Sequence, residues 1–301
     1  MDPFLYPIIE KEAKPLNCRC FLGRLLLSCA AAALILGQWM AAPVEAPASR
    51  NQPPRCSEPP CIPQALVHSD QDDGRGKILI VDKQRQTAFL WAKNGQWQEE
   101  ARWPCSTGKA PGPKQVEGDQ KTPEGIYFVL RNVPGRFLSD IYGSRALPLD
   151  YPNWMDRTAG RSGSAIWLHG TNKPLKPRDS NGCIVFNNRA IDDLAHRIRM
   201  QRTPVILVDA LRWQPQAAAE EKADAVLPII SRWQRALMGG SYQRLKQWYA
   251  PQAAPSMAWW HRWCRLRNKS ALKRGSWRSL ARNRLLVQHG NQLVLLFDHY
   301  L

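Results

Sequence analysis

The sequence predicts a mainly β domain, a sandwich or barrel, followed by a smaller α+β domain. Three observations carry that reading. From Lys77 to Val208, short runs rich in β-branched and aromatic residues recur between clusters of Gly, Pro and Asn, at strand rather than helix length. Only one helix-like stretch interrupts them. Beyond residue 212 the pattern changes to helical stretches and then a hairpin.

In chain order, residues 1–42 come first. They carry Lys11, Lys14, Arg19 and Arg24 ahead of the apolar run Leu25 to Leu36, the layout of an export signal. Counted from Leu25 to Ala42 the run has 18 residues, the lower bound for a spanning helix, so a cleaved signal peptide and an N-terminal membrane anchor both fit. Either way the rest of the chain is expected outside the cytoplasm. Residues 43–73, rich in Pro, Ala and Ser, read as a linker. Within it Cys56 and Cys61 either close a small disulfide loop in an oxidising compartment or stay unpaired, since Pro59 and Pro60 restrict the geometry.

Residues 74–212 hold the β domain. Ile78–Val81 and Thr87–Ala92 flank the polar turn 83–86, and Asn94-Gly95 marks a tight hairpin into Gln96–Trp103. Gly125–Leu130, Ala165–His169, Cys183–Phe186 and Val205–Val208 are the further strands. The helix begins at Asn188 as N-cap, sets Ile191, Leu194, Ala195 and Ile198 on one face, and ends near Met200. A long polar loop covers 107–122. Asp119 and Glu124, near its end, are expected as turn and cap residues rather than an acid–base pair. Arg157 or Arg161 is a candidate to hold a carboxylate.

Residues 213–301 form the last unit. Val226, Ile229, Ile230, Trp233 and Leu237 share a helical face, a second basic helix covers Trp259 to about Leu272, and Leu285–Gln288 with Gln292–Tyr300 reads as a hairpin about His289-Gly290-Asn291. From 214 to 301 there are 14 Lys and Arg against 4 Asp and Glu, and six Trp. The whole chain has 42 Lys and Arg against 25 Asp and Glu, a net charge of +17. Such a balance suits an anionic partner. There is no P-loop, zinc spacing, dinucleotide fingerprint or nucleic-acid motif, so neither cofactor nor metal nor nucleic acid is expected.

Chemistry concentrates between Ala165 and Phe186. His169 ends one apolar run, and Cys183 opens another 14 residues later, across a loop of turn-formers including Asn172, Pro174, Pro177 and Asp179. A loop of that composition can fold back and bring imidazole to thiol. A nearby His accepts the proton of a Cys nucleophile or lowers its pKa, which is the requirement of acyl transfer. Gly182 permits a sharp turn, so the amides of Gly182 and Cys183 are candidate oxyanion donors.

His169-Gly170-Thr171 followed by Ser180-Asn181-Gly182-Cys183-Ile184 resembles the signature of the L,D-transpeptidase catalytic domain, the YkuD-like family. Gly118-Asp119-Gln120-Lys121-Thr122-Pro123-Glu124-Gly125 and Leu149-Asp150-Tyr151-Pro152-Asn153 fit the same pattern in the family's order, over about Lys77 to Ala210. The resemblance implies a β-sandwich with Cys183 as nucleophile, His169 as base and the Gly170 carbonyl orienting the imidazole. Ser180, Asn181, Tyr151 and Thr171 are then the expected substrate-binding residues. It also implies action on peptidoglycan tetrapeptide stems in the periplasm or cell envelope, at the meso-diaminopimelate–D-Ala bond, with loss of D-Ala. An amine acceptor makes a crosslink or an attached protein, and water makes the enzyme an L,D-carboxypeptidase or amidase-type hydrolase. The different-class alternative is a catalytically silent wall-binding module. Two positions depart from the family pattern: Asn181, where His is common, and Val185, where Arg or Asn is frequent. The C-terminal stretch resembles the opening of an NTF2-like module.

Overall fold

The structure, a computed structural model, describes residues 22–28, 60–71, 76–249, 254–271 and 279–300. Its strands are β1 (Leu22–Ser28), β2 (Cys61–Pro63), β3 (Leu66–Ser69), β4 (Ile78–Asp82), β5 (Thr87–Asn94), β6 (Gln96–Pro104), β7 (Gly125–Phe128), β8 (Val133–Pro134), β9 (Arg145–Pro148), β10 (Trp167–His169), β11 (Ile184–Val185), β12 (Pro204–Val208), β13 (Trp213–Pro215), β14 (Leu280–His289) and β15 (Gln292–Tyr300). The helices are α1 (Trp154–Thr158), α2 (Asn188–Arg197), α3 (Gln216–Val226), α4 (Pro228–Met238), α5 (Tyr242–Lys246) and α6 (Met257–Ala271).

The centre is a five-stranded sheet in the order β6-β5-β4-β12-β7. Side chains alternate across a strand, and here both sets find a core. Leu79, Val81, Leu90, Tyr127, Val205 and Leu207 face one apolar cluster. Ile78, Ile80, Phe89, Ile126, Phe128 and Ile206, their sequence neighbours, face another. That two-sided burial is why Ile78–Asp82 and Pro204–Val208 read as unbroken apolar runs rather than alternating ones.

On the first face lies a small sheet, β11-β10-β9-β8, with α2 packed beside it through Ala190, Ile191 and Leu194. On the second face lies the sheet β1-β15-β14-β3. Its hairpin is itself two-sided: Leu285, Val287, Val294 and Leu296 meet the central sheet, while Leu286, Leu295 and Phe297 pack with Trp233, Trp260 and Trp263 of the helices beyond. The helices and hairpin expected after residue 212 are therefore present, though the first helical stretch is broken at Leu227 into α3 and α4.

Two expectations change. Residues 61–69, placed in the linker, form β2 and β3, and Ile62, Ala65 and Leu66 are buried in the second cluster. Strands of three and four residues are too short to show a period. Cys61 is disulfide-bonded, its partner lying outside the described residues, whereas Cys105, Cys183 and Cys264 are free thiols. Most of the expected export segment also lies outside the described residues. The backbone of Leu22–Ser28 runs antiparallel to β15, and no described helix is long and apolar enough to cross a membrane. Finally, the N-cap of α2 is Asn187, whose side chain accepts from the Ala190 amide, one residue before the expected cap.

Burial of a large aliphatic side chain is worth about 1.5–3 kcal/mol. The four hairpin residues on the central sheet thus contribute roughly as much as the whole net stability of a domain, about 5–15 kcal/mol. A chain ending at residue 212 is expected to expose Ile80, Phe128 and Ile206, to bind a hydrophobic dye and to aggregate. Gel filtration and dye fluorescence check this; a monomer with a cooperative melt would contradict it.

Candidate active site

The site is built on the pairing of β10 with β11. They are parallel, with Leu168 opposite Ile184 and His169 opposite Val185. Leu168 and Ile184 are fully buried in the first core. Alternation then turns Trp167 and His169, and Cys183 and Val185, to the other face. Thiol and imidazole therefore share one face on adjacent strands.

His169 is buried, and its Nδ1 lies 2.7 Å from the Gly170 carbonyl oxygen. A carbonyl only accepts, so Nδ1 carries the proton and Nε2 keeps its lone pair. Cys183 is half-buried, its Sγ donating to the Ala165 carbonyl at 3.4 Å. Ala165 holds a left-handed backbone, φ 56°, at the entry to the strand.

The turn before Cys183 is clamped from several sides. Ser106 exchanges both backbone bonds with Val185, each 2.8 Å, and Lys109 N–H donates to the Ser180 carbonyl at 2.9 Å. The Ser180 hydroxyl donates to the Cys183 carbonyl at 2.6 Å and accepts from the Gly182 amide at 3.1 Å. The Gly182 amide is thus occupied inside the turn, which leaves Cys183 N–H as the oxyanion candidate of the two. Asn181 is exposed and accepts from Lys109 Nζ at 3.4 Å. Thr171 is half-buried, and its hydroxyl accepts from the Lys173 amide. Tyr151, expected on the substrate side, is instead packed in the core against Tyr127, with its hydroxyl on the Ser162 carbonyl at 2.9 Å.

Residues 76–207 match the family model of YkuD, the L,D-transpeptidase catalytic domain. That match spans the central domain and its sheet. Escherichia coli K12 YafK is 28% identical over 134 residues, 44% of this chain and 51% of that protein. The chain spans about half the length of the curated relatives it matches. Among solved structures, Bdellovibrio bacteriovorus Bd1075 superposes with a TM-score of 0.60 at 24% identity, over 79% of this chain and 86% of that one. The helical cell shape determining protein Pgp2 from Campylobacter jejuni does so with 0.53 at 19% identity, over 79% and 85%. At such identities the likeness is one of fold, and it extends well past the YkuD domain.

The central domain holds residues that sequence reasoning missed. Tyr142, on a one-turn 3-10 helix, sets its ring edge-on to His169 at 5.0 Å and also packs on Trp167 at 4.8 Å. Its segment is docked through Asn188, whose side chain accepts from the Ser144 amide at 2.9 Å. A residue 27 positions ahead of His169 gives no local sign of this. Lys114 is buried and donates to Asp119 at 2.7 Å; Asp119 also accepts from the amides of Gln115, Val116 and Lys121. Against the cost of its burial, these bonds hold the Asp119 carboxyl at about 2. Asp119 thus organises the loop, as expected of a turn residue, while Glu124 pairs with the buried Lys83. Of the candidate carboxylate binders, Arg161 is taken up by Asp156 at 2.8 Å, and Arg157 donates to the Pro152 carbonyl. Asp156 belongs to α1, a five-residue helix started by a capping box with Asn153.

Burial pushes the His169 imidazole below its ordinary 6.5, and the bond to the Gly170 carbonyl opposes this only in part. Burial likewise pushes the Cys183 thiol up, against the Trp167 amide and the Lys114 charge. Both shifts favour the neutral forms. Attack needs the neutral imidazole, so the acid limb of the acylation rate should have its midpoint below pH 6.5. The same depression has a sign for stability. Below about 6.5 the unfolded chain binds a proton that the folded chain still refuses, so this group weakens folding as pH falls. A pH–rate profile of wild type and His169→Ala checks the first point: an acid midpoint above 6.5 would contradict it.

Proposed function

We propose that this protein is a peptidoglycan L,D-transpeptidase working in the cell envelope, with Cys183 as nucleophile and His169 as base. The observation that carries the reading is the fixed tautomer: His169 Nδ1 bound to the Gly170 carbonyl, beside a free thiol on the same face of the sheet. The match to the YkuD family model supports the substrate class, a tetrapeptide stem. His169 Nε2 takes the thiol proton as Sγ attacks the carbonyl of the diaminopimelate residue. The C–N bond breaks, D-Ala leaves with that proton on its nitrogen, and the stem remains as a thioester. An amine of a second stem then resolves it. The exposed basic residues of the C-terminal unit, Arg232, Arg235, Arg244, Arg262 and Arg265 among them, suit retention on an anionic wall polymer. The cell shape role in Pgp2's name agrees with a wall-remodelling activity here.

Purified tetrapeptide muropeptides, incubated with the full chain and read by mass spectrometry, test this. Loss of D-Ala with dimer formation is expected; loss of D-Ala with tripeptide alone would make the protein a carboxypeptidase, and no product would leave a wall-binding module. Cys183→Ala is expected to abolish turnover with the fold intact, and His169→Ala to slow acylation by roughly 10²–10⁴-fold, the scale of general-base removal. Wild-type turnover by Cys183→Ala would refute the mechanism.

A further inference from the structure

The residues that grip the nucleophile from behind lie sixty positions upstream. Gln120, Lys121 and Thr122 thread between two glycines. A Cβ on Gly108 would fall 2.3 Å from the Gln120 carbonyl oxygen, and one on Gly182 would fall 2.8 Å from that of Lys121. Gly182 also sits at φ +126°, where side chains are strained. Between the glycines, Thr122 is fully buried. Its hydroxyl accepts from the Gly108 amide at 2.8 Å and donates to the Gly182 carbonyl at 2.9 Å. Its own carbonyl is held by the buried Lys83 ammonium at 3.1 Å, which also holds the Gly112 carbonyl at 2.7 Å.

The Gly182 carbonyl and the Cys183 N–H belong to one peptide unit. That unit is planar and trans, so the two groups point in opposite directions. Fixing the carbonyl fixes where the amide aims. Ser180 takes the Gly182 N–H and the Cys183 carbonyl. Thr122 takes the Gly182 carbonyl. The Cys183 N–H is the group of this turn that the two hydroxyls do not take. A bond to the carbonyl also polarises the N–H of the same unit.

We propose that Thr122 is a positioning residue for oxyanion stabilisation: from behind the turn, its hydroxyl orients the Gly182–Cys183 peptide so that the Cys183 amide meets the oxyanion of the tetrahedral intermediate. This rests on the reading of Cys183 as an acyl-transfer nucleophile. Its consequence is selective. An oxyanion forms when Sγ attacks a carbonyl, and none forms when Sγ displaces iodide from iodoacetamide.

The test compares wild type, Thr122→Val, which keeps the shape without the hydroxyl, and Thr122→Ser, which keeps the hydroxyl. Thr122→Ala serves the same comparison if Val does not fit. For each full-length chain, acylation of Cys183 by a carbapenem and its alkylation by iodoacetamide are timed by peptide mass spectrometry, which separates Cys183 from Cys105 and Cys264. Thr122→Val is expected to slow acylation roughly 10–100-fold, somewhat less than outright loss of an oxyanion donor, with alkylation changed by no more than about twofold. Thr122→Ser should restore most of the acylation rate. Equal acylation by Thr122→Val and wild type, a parallel fall in both reactions, or a Thr122→Ser variant as slow as Thr122→Val would overturn the proposal. A wild-type Cys183 that is alkylated but never acylated would instead overturn the nucleophile reading, and the proposal with it.

Discussion

The site depends on a parallel contact two residues long, Leu168 beside Ile184 and His169 beside Val185. Because side chains alternate, burying Leu168 and Ile184 is what presents His169 and Cys183 to the cleft, and a slip of one residue would bury the reactive pair. So short a pairing cannot hold its own register. It is held from outside: β9 pairs with the other edge of β10, Ser106 bonds the free side of Val185, and α2 begins directly after the Cys strand and sinks Ile191 and Leu194 into the same core. His169 and Cys183 are positioned by packing in the core beneath them.

That core is half of a larger constraint. The central sheet is apolar on both faces, so the domain bearing the YkuD motifs cannot stand as a two-layer sandwich with a solvated back. The C-terminal hairpin covers the back, and the tryptophans of α4 and α6 cover the hairpin in turn. Trp233, Trp260 and Trp263 are buried there, so the aromatic crowd in this part of the sequence is mainly packing. Charge sorts the other way: Arg232, Arg235, Arg262 and Arg265, on the same helices, are exposed. One helix face contributes to stability and the opposite one carries the basic surface.

What was legible in the sequence follows from range. The Asn94-Gly95 hairpin, with Gly95 at φ +69°, and the apolar face of α2 are local, and both were readable to within a residue or two. That His169 and Cys183 come together on adjacent strands was readable from their spacing and flanking glycines. The helix α1 carried its signal in Asn153 and Asp156, but five residues are too few for a period. Tyr142 against His169, Thr122 behind Gly182 and Tyr151 in the core are tertiary outcomes. Nothing within ten residues of them distinguishes a core Tyr from a cleft Tyr, or a structural Thr from one that aims the nucleophile's amide. The strands at 61–69 were missed for a related reason: their partners, β13 and β14, lie some 150 and 220 residues away.

The choice of a backbone carbonyl to orient His169 has an electrostatic consequence. A carboxylate in that place would stabilise the imidazolium strongly and raise the imidazole's pKa. The Gly170 carbonyl fixes the tautomer with a dipole alone, and burial then keeps the base neutral into mildly acidic conditions. With the thiol pushed up by the same burial, the proposed mechanism starts from neutral partners, and charge appears as Sγ attacks. Both new charges, imidazolium and oxyanion, then arise in a poorly solvated place where water helps little. Under those conditions fixed dipoles matter most, because they need no reorganisation when charge develops. The Gly170 carbonyl faces one of these charges. On the proposed reading, the hydroxyls of Thr122 and Ser180, by immobilising the peptide units around Gly182, leave the Cys183 amide aimed at the other.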